Sequence, residues 1–173
     1  MPVYALGEAV PRIDPDAFVS PEAVVIGHVL IGPEATIWPF AVLRGDEEPG
    51  IHVGARTSIQ DGAVLHVTSE LATRVGTDCV IGHLAHLEGC TIEDAALVGS
   101  GSVVLHAAVV RTGGVVGANA VVPNGSEVPA GMMALGVPAR LRPATLDLDY
   151  IRLGAANYVE RCHRYRAGLR RLS

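Results

Sequence analysis

The sequence predicts an all-β solenoid, a left-handed parallel β-helix of hexapeptide repeats with a C-terminal α-helix packed alongside. Three observations predict it. An aliphatic residue recurs every six positions, as in IGPEAT from Ile31, IQDGAV from Ile59, and IEDAAL, VGSGSV, VLHAAV, VRTGGV and VGANAV from Ile92. A small residue follows four places later, at Ala35, Ala41, Ala63, Cys79, Ala96, Ser102, Ala108, Gly114, Ala120 and Ser126. The composition agrees, since 20 glycines and only 4% aromatic residues suit a narrow interior with tight corners and no room for rings. Neither a 3.6-residue helix nor a period-two strand produces such a rhythm. A solenoid does, when each block is one short flat strand and three blocks close one triangular coil.

Residues 1–16 read as a first strand and cap, and the coils run from about 19 to 128. Two segments break the rhythm and are expected to loop out, GDEEPG at 45–50 and VTSELATR at 67–74. The turn-rich segment PAGMMALGVPARLRP at 129–143 is expected to leave the prism. Thr145 reads as an N-cap, followed by a helix over 146–170. Its apolar residues Ile151, Ala155, Tyr158, Val159, Cys162 and Leu169 form one stripe, which would lie along the outside of the solenoid. The predicted units are a β-helix domain over 1–143 and a helix over 144–173 packed on that same domain.

A mean hydropathy of +0.36 and 49% hydrophobic residues supply an ample core. No apolar run reaches the ~20 residues that span a bilayer, so no membrane segment is expected. The first residues, MPVYALGEAVPRIDP, have neither a basic region nor a continuous apolar stretch, which favours the cytoplasm. The net charge of −5, without a basic stripe, argues against nucleic acid as a partner. All 13 basic residues are arginine. Cys79 and Cys90 fall on small-residue positions and read as buried structural thiols. Cys162 lies in the helix, and no disulfide framework is visible.

Seven histidines raise the question of a metal. His28, His52 and His163 fit no cluster and read as surface residues. His66 closes IQDGAVLH, His83 and His86 lie in GHLAHLEGC, and His106 lies in VLHAAV. Several histidines on one face of a rigid solenoid can converge on a metal. Residues ~18 apart stack one strand spacing, ~4.8 Å, above each other. Glu88 and His106 are therefore expected as vertical neighbours, and His66 and His83 as near-neighbours. His86 stands where the rhythm places an inward aliphatic residue.

The stretch WPFAVLRGDEEPGIHVGARTSIQDGAVLHVTSE is followed by VGTDCVIGHLAHLEGCTIEDAALVGSGSVVL, then by GVPAR and NYVERCHRY. Together these resemble the gamma-class carbonic anhydrase family over residues 10–165, nearly the whole chain. The resemblance implies a homotrimer with zinc between subunits, His66 and His83 binding it from neighbouring copies. Arg44 and Asp46 resemble the RGD pair that bridges subunits, and Asp61 their partner across the interface. Gln60 would hydrogen-bond the metal's water or the incoming CO2, and Tyr158 resembles a helix tyrosine near the site. Zinc lowers the pKa of its water to about 7, giving a hydroxide that converts CO2 to bicarbonate. Iron or cobalt would suit the same donors.

The family's third ligand is a histidine five residues after the IGH histidine, and here that position is Glu88. Three replacements stay open. Glu88 itself would give His2Glu, a set known for catalytic zinc. His106 would reach in from the next coil with Glu88 orienting it; many relatives carry Asp there. His86 would swing out as the ligand. The family archetype also has a long acidic loop bearing a proton shuttle, whereas the loop at 67–74 is short, with Glu70 its only carboxylate. Glu47, directly after the RGD, is the other candidate shuttle, and low activity is expected without an efficient one. Two other functions compete: a hexapeptide-repeat acyltransferase or thioesterase acting on acyl-CoA, and a non-catalytic trimeric scaffold with a degenerate metal site.

Overall fold

The structure is a computed structural model and describes residues 2–172. Its strands stack into three sheets, one on each side of a triangular prism. The first sheet holds β1 (Val3–Tyr4), β4 (Val24–Gly27), β7 (Val42–Gly45), β10 (Val64–His66), β13 (His86–Glu88), β16 (Val103–Val104) and β19 (Val121–Val122). The second holds β2 (Arg12–Ile13), β5 (Val29–Ile31), β8 (Ile51–Val53), β11 (Thr73–Val75), β14 (Thr91–Ile92), β17 (Val109–Val110) and β20 (Glu127–Val128). The third holds β3 (Phe18–Val19), β6 (Thr36–Ile37), β9 (Ser58–Ile59), β12 (Val80–Ile81), β15 (Leu97–Val98), β18 (Val115–Val116), β21 (Met132–Leu135) and β22 (Arg140–Pro143). All pairings are parallel except β21 with β22. This is the left-handed β-helix that the hexapeptide rhythm predicts.

The rhythmic aliphatic residues are the core. On the first sheet Val25, Leu43, Leu65, Leu87, Val104 and Val122 stack inward in one buried column. On the third, Ile37, Ile59, Ile81, Val98 and Val116 do the same. Burying each side chain stabilises the fold by about 1.5–3 kcal/mol. The corners after the third sheet require left-handed backbone, supplied by Gly62 and Gly101 in two coils and by Phe40, Leu84 and Asn119 in others.

Two boundaries differ from expectation. The segment 129–143 does not leave the prism at once. Strand β21 pairs in parallel with β18, and Ala134 extends the inward column of the third sheet, so the apolar column is covered before β22 turns back. The helix α1 spans Leu148–Gly168, with Asp147 rather than Thr145 as its cap; the Asp147 carboxylate accepts from the Tyr150 N–H at 2.9 Å. Ile151, Ala155 and Cys162 are its buried residues. The aromatic rings gather outside the prism, where Phe18, Trp38, Tyr158 and Tyr165 pack between the third sheet and the helix. Trp38 Nε1–H is 3.0 Å from both Thr36 Oγ1 and Ser58 Oγ. Among the described residues no helix is long and apolar enough to cross a membrane.

Coil length varies, and this positions the site. Arg44 pairs with His66, and His66 with Glu88, each 22 residues on, whereas Leu87 pairs with Val104 only 17 on. These two long coils contain the segments that break the rhythm; the first coil, in which Val3 pairs with Val25, is equally long.

Candidate metal site

Strands β7, β10 and β13 each place a leucine inward, at Leu43, Leu65 and Leu87. Alternation along a strand therefore sends the next residue outward. Arg44, His66 and Glu88 form that outward column in direct register. His66 Nδ1 lies 3.1 Å from Glu88 Oε1, and His66 Nε2 lies 3.0 Å from Asp46 Oδ1. Asp46 also accepts from the Arg44 guanidinium. The second Glu88 oxygen, Oε2, lies 3.1 Å from His86 Nε2. His106 Nε2 comes within 3.5 Å of Glu88 Oε1, yet this atom is buried without a hydrogen-bond partner.

The support around these groups was not visible in the sequence. Thr73 Oγ1 donates to the His66 carbonyl and accepts from Gly89 N–H at 2.8 Å, tying the two long coils together. Gly89 has a φ of +58°, and a Cβ there would come within 3.0 Å of Leu71 Cβ and 3.4 Å of the His106 ring. The only available signals were a threonine ending a broken segment and a glycine before Cys90.

Burial pushes the Glu88 carboxyl upward, but hydrogen bonds from His86 and His66, together with the nearby His106 imidazole, outweigh it and hold the group below its ordinary range. Asp46 behaves alike: burial raises it, while the His66 hydrogen bond and the Arg44 charge bring it below the usual value. Both carboxylates are thus ionised and available as oxygen donors near neutrality.

Three expectations need correction. His66 and His83 are not near-neighbours, because the 22-residue coil puts Glu88 in register with His66. His83 sits instead at the exposed corner before β13, its Nδ1 3.0 Å from Asp61 Oδ2. His106 meets Glu88 through its side chain but stands over Gly89, because the intervening coil is one residue short of 18. His86 is not inward, since Leu87 takes the interior place and leaves His86 on the outer face.

The remaining residues fall into separate places. Gln60 is buried on the corner that carries Asp61 and His83, where Asp61 O accepts from Leu84 N–H. Glu47 and Glu70 are exposed on the two loops. Tyr158 packs on Trp38, with Arg161 4.7 Å above its ring. His28 pairs with Glu48, His163 with Glu34, and His52 lies against the Pro49 carbonyl. All three cysteines are free and buried, and burial pushes Cys79 and Cys90 up to about 12.

A single chain therefore carries two separate clusters, one of Asp46, His66, His86, Glu88 and His106, the other of Gln60, Asp61 and His83. Among the described residues no group of three or more His, Cys, Asp or Glu side chains is placed to hold a metal ion. In the first cluster the candidate donors instead bond to one another. Imidazole with carboxylate is a donor set for zinc and similar divalent ions. The unpartnered His106 Nε2, buried beside Glu88, is the kind of atom such an ion would satisfy, so the donor types fit a metal.

Hexapeptide coils bearing a histidine–carboxylate cluster on an outer face define a class, the hexapeptide-repeat β-helix proteins with a candidate metal site. No protein-family model matches the chain. A crystal structure of a hexapeptide transferase family protein from Anaplasma phagocytophilum superposes with a TM-score of 0.90 at 35% identity, covering 95% of this chain and 98% of that one. Protein YrdA of Escherichia coli is 42% identical over 159 residues, 87% of this chain and 86% of its own. Gamma carbonic anhydrase 2 of Arabidopsis thaliana mitochondria is 39% identical over 157 residues, 86% of this chain. The chain spans about half the length of that relative, 56%. It belongs to the gamma-class carbonic anhydrase-like family of hexapeptide-repeat proteins.

Proposed function

We propose that this chain forms a homotrimeric, metal-dependent carbonic anhydrase interconverting CO2 and bicarbonate, with His66 and Glu88 of one copy and His83 of the next as metal ligands. One observation carries it: His66 and Glu88 face each other in register while Asp46 holds the far nitrogen of His66. That is the carboxylate–histidine arrangement that orients a metal-ligating imidazole. The reading calls for a second copy, because His83 and Gln60 lie on a different corner from His66. The outer face of the first sheet supports this, since its strands present Val24, Val42, Val64, Val103 and Val121 outward, interrupted only by His86. The corner bearing His83 ends in Phe40 and Leu84, 69% and 71% exposed, an apolar ridge suited to that valine face.

Bound there, zinc, or iron or cobalt on the same donors, would supply a Lewis acid that lowers the pKa of water to about 7. The residues of this chain do the rest. With a metal bound, Asp46 would accept from His66 Nε2–H and leave the Nδ1 lone pair free for the ion beside Glu88. Arg44 and Asp46 would meet Asp61 of the next copy, and Gln60, arriving with His83, would donate to a CO2 oxygen. Glu47, exposed next to Asp46, would carry the released proton to solvent. Tyr158 stands with Trp38, and the proposal assigns it no step.

The similarity to a hexapeptide transferase family protein favours one second reading, an acyltransferase or thioesterase acting on acyl-CoA at the same cluster. The test is metal per trimer on protein purified without chelators, with CO2 hydration and acyl-CoA hydrolysis on the same sample. Three metals with hydration are expected. Three metals with only thioester hydrolysis would select the second reading. Absence of metal after reconstitution would leave a trimeric scaffold.

A further inference from the structure

We propose that His106 is a metal ligand of this chain, so that one copy supplies His66, Glu88 and His106, and His83 of the next copy makes a fourth protein donor. The inference rests on the metal reading above and adds a ligand to it.

The geometry points to Glu88 Oε1 as the shared centre. His66 Nδ1 lies 3.1 Å from it and His106 Nε2 3.5 Å. In a tetrahedral site with ligands about 2.0–2.2 Å from the ion, neighbouring donors stand about 3.3–3.6 Å apart. The His106 separation falls in that range, whereas the His66 one is a hydrogen-bond distance that would open slightly to admit an ion. His86 bonds the other oxygen, Oε2, and leaves Oε1 to the two remaining imidazoles.

His106 differs from the other histidines in two further respects. Its Nε2 is buried and makes no hydrogen bond, which buried polar atoms rarely tolerate without a partner or an ion. Its ring also rests on Gly89, where any Cβ would come within 3.4 Å of it. Gly89 therefore lies in contact with the imidazole beside Glu88, and Thr73 holds that glycine in place.

Four protein donors have a chemical consequence. Three leave the fourth position open for water, whereas a fourth leaves water only a fifth position, which catalytic zinc reaches less readily. Metal would be held tightly in this trimer while hydration stays slow.

The test uses cobalt(II) as the probe on the full chain, with chelator competition for affinity and the visible d–d bands for coordination. His106→Ala and His106→Gln should each weaken cobalt binding at least tenfold and alter the d–d bands. Hydration per bound metal should rise in both as the position opens. His52→Ala, on another sheet, should change nothing. Unfolding midpoints of the metal-free variants check that each is folded. Wild-type affinity and an unchanged spectrum in both His106 variants would overturn the inference while leaving the metal reading intact. A wild-type chain that binds no cobalt would sink the metal reading, and this inference with it.

Discussion

Leu65→Ala should destabilise the fold by about 3–4 kcal/mol, a value that follows from its place in the prism. Leu65 is fully buried, with Leu43 below and Leu87 above as register partners. The substitution removes three carbons from the packed column, about 2.4 kcal/mol at ~0.8 kcal/mol per methylene. The rigid coils cannot collapse onto the gap, so a cavity contribution adds roughly another 1 kcal/mol. At about 2–4 °C per kcal/mol for a chain of this size, the melting temperature should fall by about 6–16 °C. The assay is thermal unfolding of metal-free protein followed by far-ultraviolet circular dichroism at one fixed protein concentration, because assembly makes the midpoint concentration-dependent. Contacts in a solenoid run mainly between adjacent coils. Amide exchange should therefore accelerate in β7, β10 and β13, and stay slow in β19. A loss below ~1 kcal/mol, or exchange that rises equally in β19, would refute the stacked-column account.

Asp46→Asn keeps the shape but weakens the acceptor facing His66 Nε2, so metal affinity should fall about 10–100-fold by chelator competition; an unchanged affinity would remove Asp46 from that role. Burial leaves Cys79 and Cys90 protonated at ordinary pH. Neither should react with Ellman's reagent in the native protein, and all three cysteines should react after unfolding. Glu93 is held below its usual range first by the Arg111 hydrogen bond. Its contribution is present above the unfolded pKa and lost as pH falls through the lowered folded value. Acidification from about pH 5 to pH 3 should therefore cost the wild type more stability than Glu93→Gln, and equal losses would contradict the assignment.

The inward columns were legible because their periodicity reflects one side chain per strand pointing into a narrow prism. Ile59, Ile81 and Val98 could be placed from spacing alone, and Ala63 and Ala96 marked their corners. Legibility failed where coil length changed. Counting residues put His66 beside His83, but hydrogen bonding between β10 and β13 put it beside Glu88. His86 was misplaced for a related reason, since Leu87 satisfied the core one position later. Ala134 shows the opposite error, in which turn residues on both sides concealed one more rung of the third sheet.

From the sequence alone followed the prism, its corners, the outer helix, and the residue types available for chemistry. These depend on local repetition, in which each six-residue block buries one aliphatic side chain whatever its neighbours do. Only the tertiary structure decided which of those residues meet. A four-residue excess in each of two coils, and a one-residue deficit in a third, reset the vertical register between strands distant in sequence. That register brings His66, Glu88 and His106 together and leaves His83 on another corner. The backbone ladder sets it, and spacing along the chain does not record where that ladder resumes after a loop.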